Sequence, residues 1–153
     1  MSAATPPPPE LPGRGLLAIM ATVLHFALVV FSFGMLSLVL DRDVIGEPDA
    51  GYFVGPAMVV TACAITFRFV FRGDGERLAG PALSAGLAVL LGSPAVGAIV
   101  YAIVRERVGV IPVFFGTHLI DPFVAASAII SAALVASVAL LRRRPGPPQL
   151  PHD

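Results

Sequence analysis

The amino-acid sequence predicts an all-α fold, a polytopic membrane protein built as a four-helix transmembrane bundle. Of its 153 residues, 56% are hydrophobic and only 13% are charged, whereas a soluble domain carries about 25% charged residues. The charged residues are clustered and leave four long apolar stretches between residues 15 and 141. Each stretch is long enough, at about 1.5 Å per residue, to cross a hydrocarbon core of about 30 Å. The bundle is therefore predicted to be surrounded by lipid.

The first predicted span, residues 15–40, follows a tail, residues 1–14, that contains four consecutive prolines. Repeated proline excludes a helix and favours extended structure, so this tail is predicted to be disordered and cytoplasmic. A signal peptide has an apolar region of only about 7–15 residues, followed by a small-residue cleavage site. The apolar stretch here is longer and ends in Leu38-Val39-Leu40-Asp41, which offers no such site. It is therefore predicted to be a retained helix.

The second and third predicted spans cover residues 51–71 and 81–104, and each has a proline at or near its start. Proline is tolerated there because the first N–H groups of a helix lack helical partners. Short polar connections, residues 41–50 and 72–80, precede the two spans. Pro94 lies inside the third span, where the loss of one backbone hydrogen bond predicts a kink and not a break.

The fourth predicted span, residues 121–141, begins with Asp121-Pro122, the pattern of an N-cap followed by proline at the first helical position. The alternative role for Asp121 is an outer-face site together with His118. The span ends before three consecutive arginines, which open a basic and then proline-rich cytoplasmic tail, residues 142–153. The apolar segment before it, residues 108–120, is too short to cross a membrane. Three alternatives remain open for this segment: it lies at the interface, it enters the membrane and returns, or it lengthens the fourth helix.

The arginine distribution predicts the orientation of the bundle. Four spans place seven arginines on the side of the two termini and three on the opposite side. Cytoplasmic loops carry the excess of basic residues in membrane proteins. The chain is therefore predicted to be a multi-pass protein of the cell (cytoplasmic) membrane with both termini in the cytoplasm.

His25 and Arg68 are the candidate polar positions inside the predicted spans. An ionisable residue at membrane depth is a functional candidate by default, and His25 shares a helical face with Ala18, Thr22 and Ser32. Two alternatives follow: His25 is a proton relay or haem ligand, or its neutral imidazole is hydrogen-bonded to a neighbouring helix. His118, the other candidate axial ligand, is predicted on the opposite side, so no haem is expected. Arg68 is predicted to extend towards the cytoplasmic headgroups or to point inward.

Small residues at four-residue spacing predict close helix packing on the third and fourth spans. Small side chains let backbones approach, and in lipid this packing largely replaces the hydrophobic driving force. The pattern predicts a compact bundle or a homo-oligomer, through Ser84, Ala88 and Gly92 on the third span and Ala128 and Ala132 on the fourth.

The sequence carries none of the common catalytic or cofactor motifs. It contains no phosphate-binding loop, zinc-protease pattern or nucleophile elbow, and no aromatic and basic patch for nucleic acid. The acids of the connection 41–50 do not match a calcium loop, and the single cysteine, Cys63, is interpreted as a small apolar filler. No enzymatic activity, cofactor or metal is therefore predicted, and nucleic acid is not an expected partner.

The segment 43–51, continuing into Gly55-Pro56-Ala57-Met58, resembles the first loop and second helix of an uncharacterised family of short actinobacterial membrane proteins with four predicted helices. The resemblance covers the first half of the chain and implies the four-helix architecture and a bacterial source. It implies no activity, because the family has none assigned. The use of arginine as the only basic residue besides histidine also indicates a bacterial gene.

Two functions are therefore expected. The first is a non-catalytic membrane component or accessory subunit that packs with itself or with a larger membrane assembly. The alternative is a small transporter or proton-coupled channel that uses His25.

Overall fold

The computed structural model describes residues 13–41, 43–45, 52–73 and 79–143. These residues contain helices and no strand, and a single 3₁₀ turn, Val108–Val110, precedes the fourth helix. The five helices are α1 (Arg14–Leu40), α2 (Val54–Arg72), α3 (Ala79–Val104), α4 (Ile111–Leu119) and α5 (Pro122–Arg142). Of these, α1, α2, α3 and α5 are long and apolar enough to cross a membrane. The predicted all-α class with four such helices is confirmed, whereas the proline-rich tails predicted to be disordered lie almost entirely outside the described residues.

Local signals in the sequence account for several helix ends. Asp121 caps α5, since its side-chain oxygen accepts a hydrogen bond of 3.0 Å from the backbone N–H of Phe123, and Pro122 takes the first helical position. The end of α3 is closed by Glu106, in the left-handed conformation with φ 51°. The N–H of Arg107 then donates to the carbonyl of Ala102 at 3.0 Å, the pattern of a Schellman motif. The predicted N-cap at Asp121 is thus confirmed.

Helix α3 continues without a break through Pro94, and α2 packs antiparallel against it. The hydroxyl of Ser93 donates to the carbonyl of Met58 at 3.2 Å. On the same side of α3, a Cβ atom added at Gly97 would lie 2.7 Å from the Met58 sulfur. The absence of a side chain at Gly97 therefore lets α2 approach α3 closely at this level.

Helix α1 packs antiparallel to α5. Near the end of α1, the ring of Phe33 meets that of Phe123 edge-on, with 5.4 Å between ring centroids. Near its beginning, Ala18 and Ala21 lie in one buried cluster with α5 residues Val135 and Val138. Only one face of α1 is buried, and that face includes His25.

Helices α4 and α5 follow one another along α3 and are separated by Ile120 and Asp121. Helix α4 runs back along the last turns of α3, because Phe114 lies against Gly97 and Tyr101. It ends at the level of Ser93, and α5 continues from that level along the first half of α3. Residues 108–120 thus extend the line of α5, as in the third of the alternatives above, but with a break in the helix.

Candidate functional site

A pocket lies at the break between α4 and α5, and we call it the break pocket. Its cavity volume is about 30 Å³, and the empty space rises to about 400 Å³ only when the open solvent at its mouth is included. Every long helix contributes to its wall, and so does the short segment 43–45 that follows α1. Four polar side chains line it: Ser93, His118, Asp121 and Ser127.

Three of the four polar side chains of the break pocket are held by local hydrogen bonds. Ser93 is fixed to the Met58 carbonyl, and Asp121 to the N–H of Phe123. The Nδ1 atom of His118 lies 3.0 Å from the carbonyl oxygen of Phe114. A carbonyl oxygen only accepts, so this bond requires the hydrogen on Nδ1, which leaves Nε2 of the neutral imidazole as an acceptor.

The remaining wall of the break pocket is apolar. It includes Phe33 and Phe123 with Met58 and Val124. Among the described residues that line the pocket, Asp121 is the single acid and no arginine is present. The C-terminus of α4, which carries a partial negative charge, meets the positive N-terminus of α5 here. These partial charges oppose each other.

His25 lies elsewhere in the bundle, in a second polar position. Its side chain is fully buried, and neither Nδ1 nor Nε2 has a hydrogen-bond partner in the part of the chain that the structure describes. Eight residues separate His25 from Phe33, and eight separate Ser131 from Phe123. Since Phe33 and Phe123 are in contact and the two helices are antiparallel, His25 lies at the level of Ser131.

A pair of buried hydroxyl groups occupies the same level. The oxygens of Thr66 and Ser131 are 2.8 Å apart, and the Thr66 hydroxyl is also 2.9 Å from the carbonyl oxygen of Ala62. These bonds satisfy both hydroxyls without His25. The structure thus brings His25 into a polar layer shared by α1, α2 and α5, but no other described residue hydrogen-bonds to its imidazole. The hydrogen bond to a neighbouring helix, one of the two alternatives for His25, is not seen among the described residues.

The other residues singled out in the sequence are distributed as follows. Arg68 and Ser84 are exposed, while Ala88 and Ala132 are half-buried. Ala128 is buried, and its carbonyl and the Cβ of Ala132 face Gly86 across the α3–α5 contact. Gly92 faces Ile65 of α2. Thus α3 turns Gly86 towards α5 and Gly92 towards α2, while Ser84 lies outside both contacts.

Arg142 has a structural role that the sequence did not reveal. It was interpreted only as the first of the arginines that stop the fourth span. In the structure its Nη1 donates to the carbonyls of Val70 at 2.9 Å and of Gly73. These are carbonyls at the C-terminus of α2, where helical partners run out. Arg142 therefore links the end of α5 to the end of α2 by hydrogen bonds.

The described residues form neither a metal-binding group nor a disulfide. They contain no group of three or more His, Cys, Asp or Glu side chains positioned to hold a metal ion. Two of the acids considered in the connection 41–50, Glu47 and Asp49, lie outside the described residues. Cys63 is a free, half-buried thiol on α2.

Comparisons with known proteins identify the family. A family model described as a family of unknown function (DUF6121) matches residues 14–152. No curated protein and no solved structure matches the chain. The match confirms the resemblance to an uncharacterised family and extends it beyond the first half of the chain, whereas the actinobacterial source stays a prediction.

Proposed function

The chain belongs to the DUF6121 family, and we propose that it is a multi-pass protein of the cell membrane with a non-catalytic role. In this proposal it is a component that packs with itself or with a larger membrane assembly. The observation that carries the proposal is the apolar outer surface of the long helices. On α1 alone, the exposed side chains include Met20, Val23, Phe31 and Leu38. Exposed apolar surface on this scale favours a lipid or protein environment.

The hydroxyl side chains on the helices support the same environment. Thr22 and Thr61 each donate a hydrogen bond to the carbonyl four residues earlier in their own helix. Thr117 and Ser137 do so although they are exposed. Water would satisfy an exposed hydroxyl without this bond, whereas hydrocarbon would not. These hydroxyl side chains can therefore face lipid without leaving a donor hydrogen unsatisfied.

The proposed orientation has both termini in the cytoplasm. It rests on the arginine excess on the side of the termini. The exposed side chain of Arg68 lies one turn from Arg72 at the same end of the bundle, so its stem can extend to the cytoplasmic headgroups. The association with other proteins rests on the exposed small residues Gly80 and Ser84 of α3, which leave room for another helix to approach.

Three measurements on cells that express the chain test this proposal together. Membranes washed with alkaline carbonate should retain the protein, since the apolar helices hold it in the bilayer. Protease-sensitive tags at the two termini should both be cleaved only after the cells are opened. Native electrophoresis of a mild-detergent extract should show a species heavier than the monomer.

Release of the chain by carbonate would contradict the membrane assignment. Tags that report opposite compartments would overturn the orientation. A strictly monomeric species, without partners after crosslinking in native membranes, would refute the role as an assembly component.

A second candidate function is proton or solute passage through His25. The observation that favours it is the full burial of an imidazole whose two nitrogens have no hydrogen-bond partner among the described residues. A buried polar group without a partner destabilises a fold, and a functional requirement for the imidazole would explain why histidine occupies this position. The hydroxyls of Thr66 and Ser131 at the same level could exchange hydrogen bonds with it when a proton arrives.

Replacing His25 by phenylalanine should raise the free energy of unfolding by about 1–2 kcal/mol, because the change removes an unsatisfied buried polar group. Under the passage hypothesis, the same variant should also lose proton flux in proteoliposomes. Unfolding is followed by titration with a denaturing detergent, and flux with an internal pH-sensitive dye under an imposed membrane potential.

Leu24→Phe is the control, since Leu24 is the preceding residue and its side chain is exposed. This variant should match the wild type in both measurements. Wild-type flux in the His25→Phe variant would eliminate passage through His25. A loss of stability would show that the imidazole has a stabilising partner.

A further inference from the structure

We propose that Arg68 and Arg72 of α2 bind the phosphate headgroup of an anionic lipid, whose acyl chains lie along the outer side of the contact between α2 and α3. This inference rests on the proposed membrane location and adds a ligand class to it. It depends neither on association with other proteins nor on His25.

The two arginines are placed to hold one phosphate. They are four residues apart on α2, and both side chains are exposed. This spacing puts their Cβ atoms about 5–6 Å apart on one side of the helix. Two like charges at this spacing destabilise a helix, and an anion that bridges them would remove that cost. Arginine suits this role, because its planar guanidinium donates two parallel hydrogen bonds to one phosphate.

The described part of the chain gives Arg68 and Arg72 no other partner. No hydrogen bond or ion pair joins either side chain to another described residue. A cation also stabilises the C-terminus of a helix, but Arg142 already donates to the carbonyls of Val70 and Gly73 there. The positive charge of the two arginines is therefore available to a ligand.

The end of the bundle that carries these arginines is basic. The ends of all four long helices meet there, since Ala18, Val70, Ala82 and Val138 belong to one buried cluster. The described arginines at this end are Arg14, Arg68, Arg72, Arg142 and Arg143. The described acids lie at the opposite end or at the break between α4 and α5, and they are Asp41, Asp43, Glu106 and Asp121. Basic sites between membrane helices on the cytoplasmic side are typical of anionic headgroup recognition.

Both arginines lie on the side of α2 that is turned towards α3. Ile65 of α2 faces Gly92 of α3, and Arg68 and Arg72 follow Ile65 by three and seven residues. Residues at these spacings share a helical face. Because the two helices are antiparallel, Ala88, four residues before Gly92, lies level with Arg68.

Small side chains leave space for acyl chains beside Arg68. Ala64, one turn before Arg68, is exposed, and Ala88 across the contact is half-buried. Alanine at both positions leaves a shallow depression that is open to the outside of the bundle. Exposed apolar side chains flank it, including Phe71 of α2 and Leu87 of α3. These groups would contact the acyl chains while the headgroup lies at the arginines.

The test uses the full chain in mild-detergent micelles, with native mass spectrometry to count the lipid bound during a titration. The probe is phosphatidylglycerol, and phosphatidylcholine with the same acyl chains is the comparison, because its choline cancels the charge of the phosphate. Phosphatidylglycerol should bind more tightly by about fivefold for each arginine, equivalent to about 1 kcal/mol. Glycerol 3-phosphate, which carries the phosphate without acyl chains, should bind more weakly than phosphatidylglycerol.

The variants Arg68→Gln and Arg72→Gln remove one charge each and keep a long polar side chain. Each should raise the dissociation constant for phosphatidylglycerol about fivefold and leave that for phosphatidylcholine unchanged. Arg107→Gln is the matched control, since Arg107 is an exposed arginine at the opposite end of the bundle, and it should leave both constants unchanged. Thermal midpoints are measured alongside, and if a variant does not fold, the comparison of the two lipids on the wild-type chain decides.

Equal affinity for the two lipids would overturn the inference, and is the result expected if Asp74 and Glu76 of the next connection neutralise the arginines. Unchanged affinity in both glutamine variants, an equal loss in Arg107→Gln, or equally tight binding of glycerol 3-phosphate would also overturn it. None of these outcomes alters carbonate retention or native size, so failure here is distinguishable from failure of the proposed function.

Discussion

Replacing Gly86 by leucine is expected to destabilise the bundle by about 3 kcal/mol, the upper end of the usual cost of overpacking. A Cβ atom added at Gly86 would already lie 3.1 Å from the Cβ of Ala132 and 3.2 Å from the carbonyl oxygen of Ala128. The two partners are a short side chain and a backbone atom, so neither can rotate away. The remaining atoms of leucine would therefore force α5 away from α3.

Gly34→Leu on α1 is the control for this substitution. A Cβ at Gly34 meets nothing within 4 Å, and Gly34 and Gly86 both lie inside long helices, so the gain in helix propensity over glycine is similar for the two variants. Unfolding is followed by titrating a denaturing detergent into mild-detergent micelles and comparing the midpoints. Equal midpoints for the two variants would mean that α3 and α5 do not pack through Gly86.

Replacing Arg142 by leucine is expected to lower the free energy of unfolding by about 2 kcal/mol, within the range for hydrogen bonds to charged groups. Nη1 of Arg142 donates to the carbonyls of Val70 and Gly73. Without it, these carbonyls at the end of α2 lose a charged donor, and the ends of α2 and α5 separate more readily. The same detergent titration measures the change.

The matched control is Arg143→Leu. Arg143 is exposed, whereas Arg142 is half-buried, and both substitutions remove one positive charge from the same end of the chain. Any effect on membrane orientation is therefore common to the two variants. A loss of stability as large in Arg143→Leu as in Arg142→Leu would show that charge, not the bond to α2, is responsible.

The helices and several of their ends were predictable from local sequence. They were predicted from the apolar stretches, from Asp121-Pro122 and from Pro56. Each of these signals affects a single helix or its first turn. Such signals depend on neighbouring residues only, since each helix closes its hydrogen bonds within itself. The predicted third span, residues 81–104, accordingly differs from α3 (Ala79–Val104) by two residues at its start.

The candidate site was only partly predictable. His25 was identified because an ionisable residue in an apolar stretch is conspicuous. The break pocket was not identified, because Asp121 was interpreted as a helix cap and an outer-face site at His118 and Asp121 was only the alternative. Only the packing of Phe114 against Gly97 shows that α4 runs back along α3 and brings both residues level with Ser93.

The sequence by itself determined the class of this protein: four apolar helices, their approximate bounds and the cap that starts the last one. The tertiary structure decided which helix faces are in contact. Gly86 of α3 packs against α5, whereas Ser84 is exposed. The ends of α4 and α5 meet at the break pocket. The physical reason is that these helices are apolar nearly all round, so hydropathy does not distinguish a buried face from an exposed one. Which face is buried is determined by how closely the side chains of neighbouring helices pack. That packing depends on contacts between residues far apart in the chain.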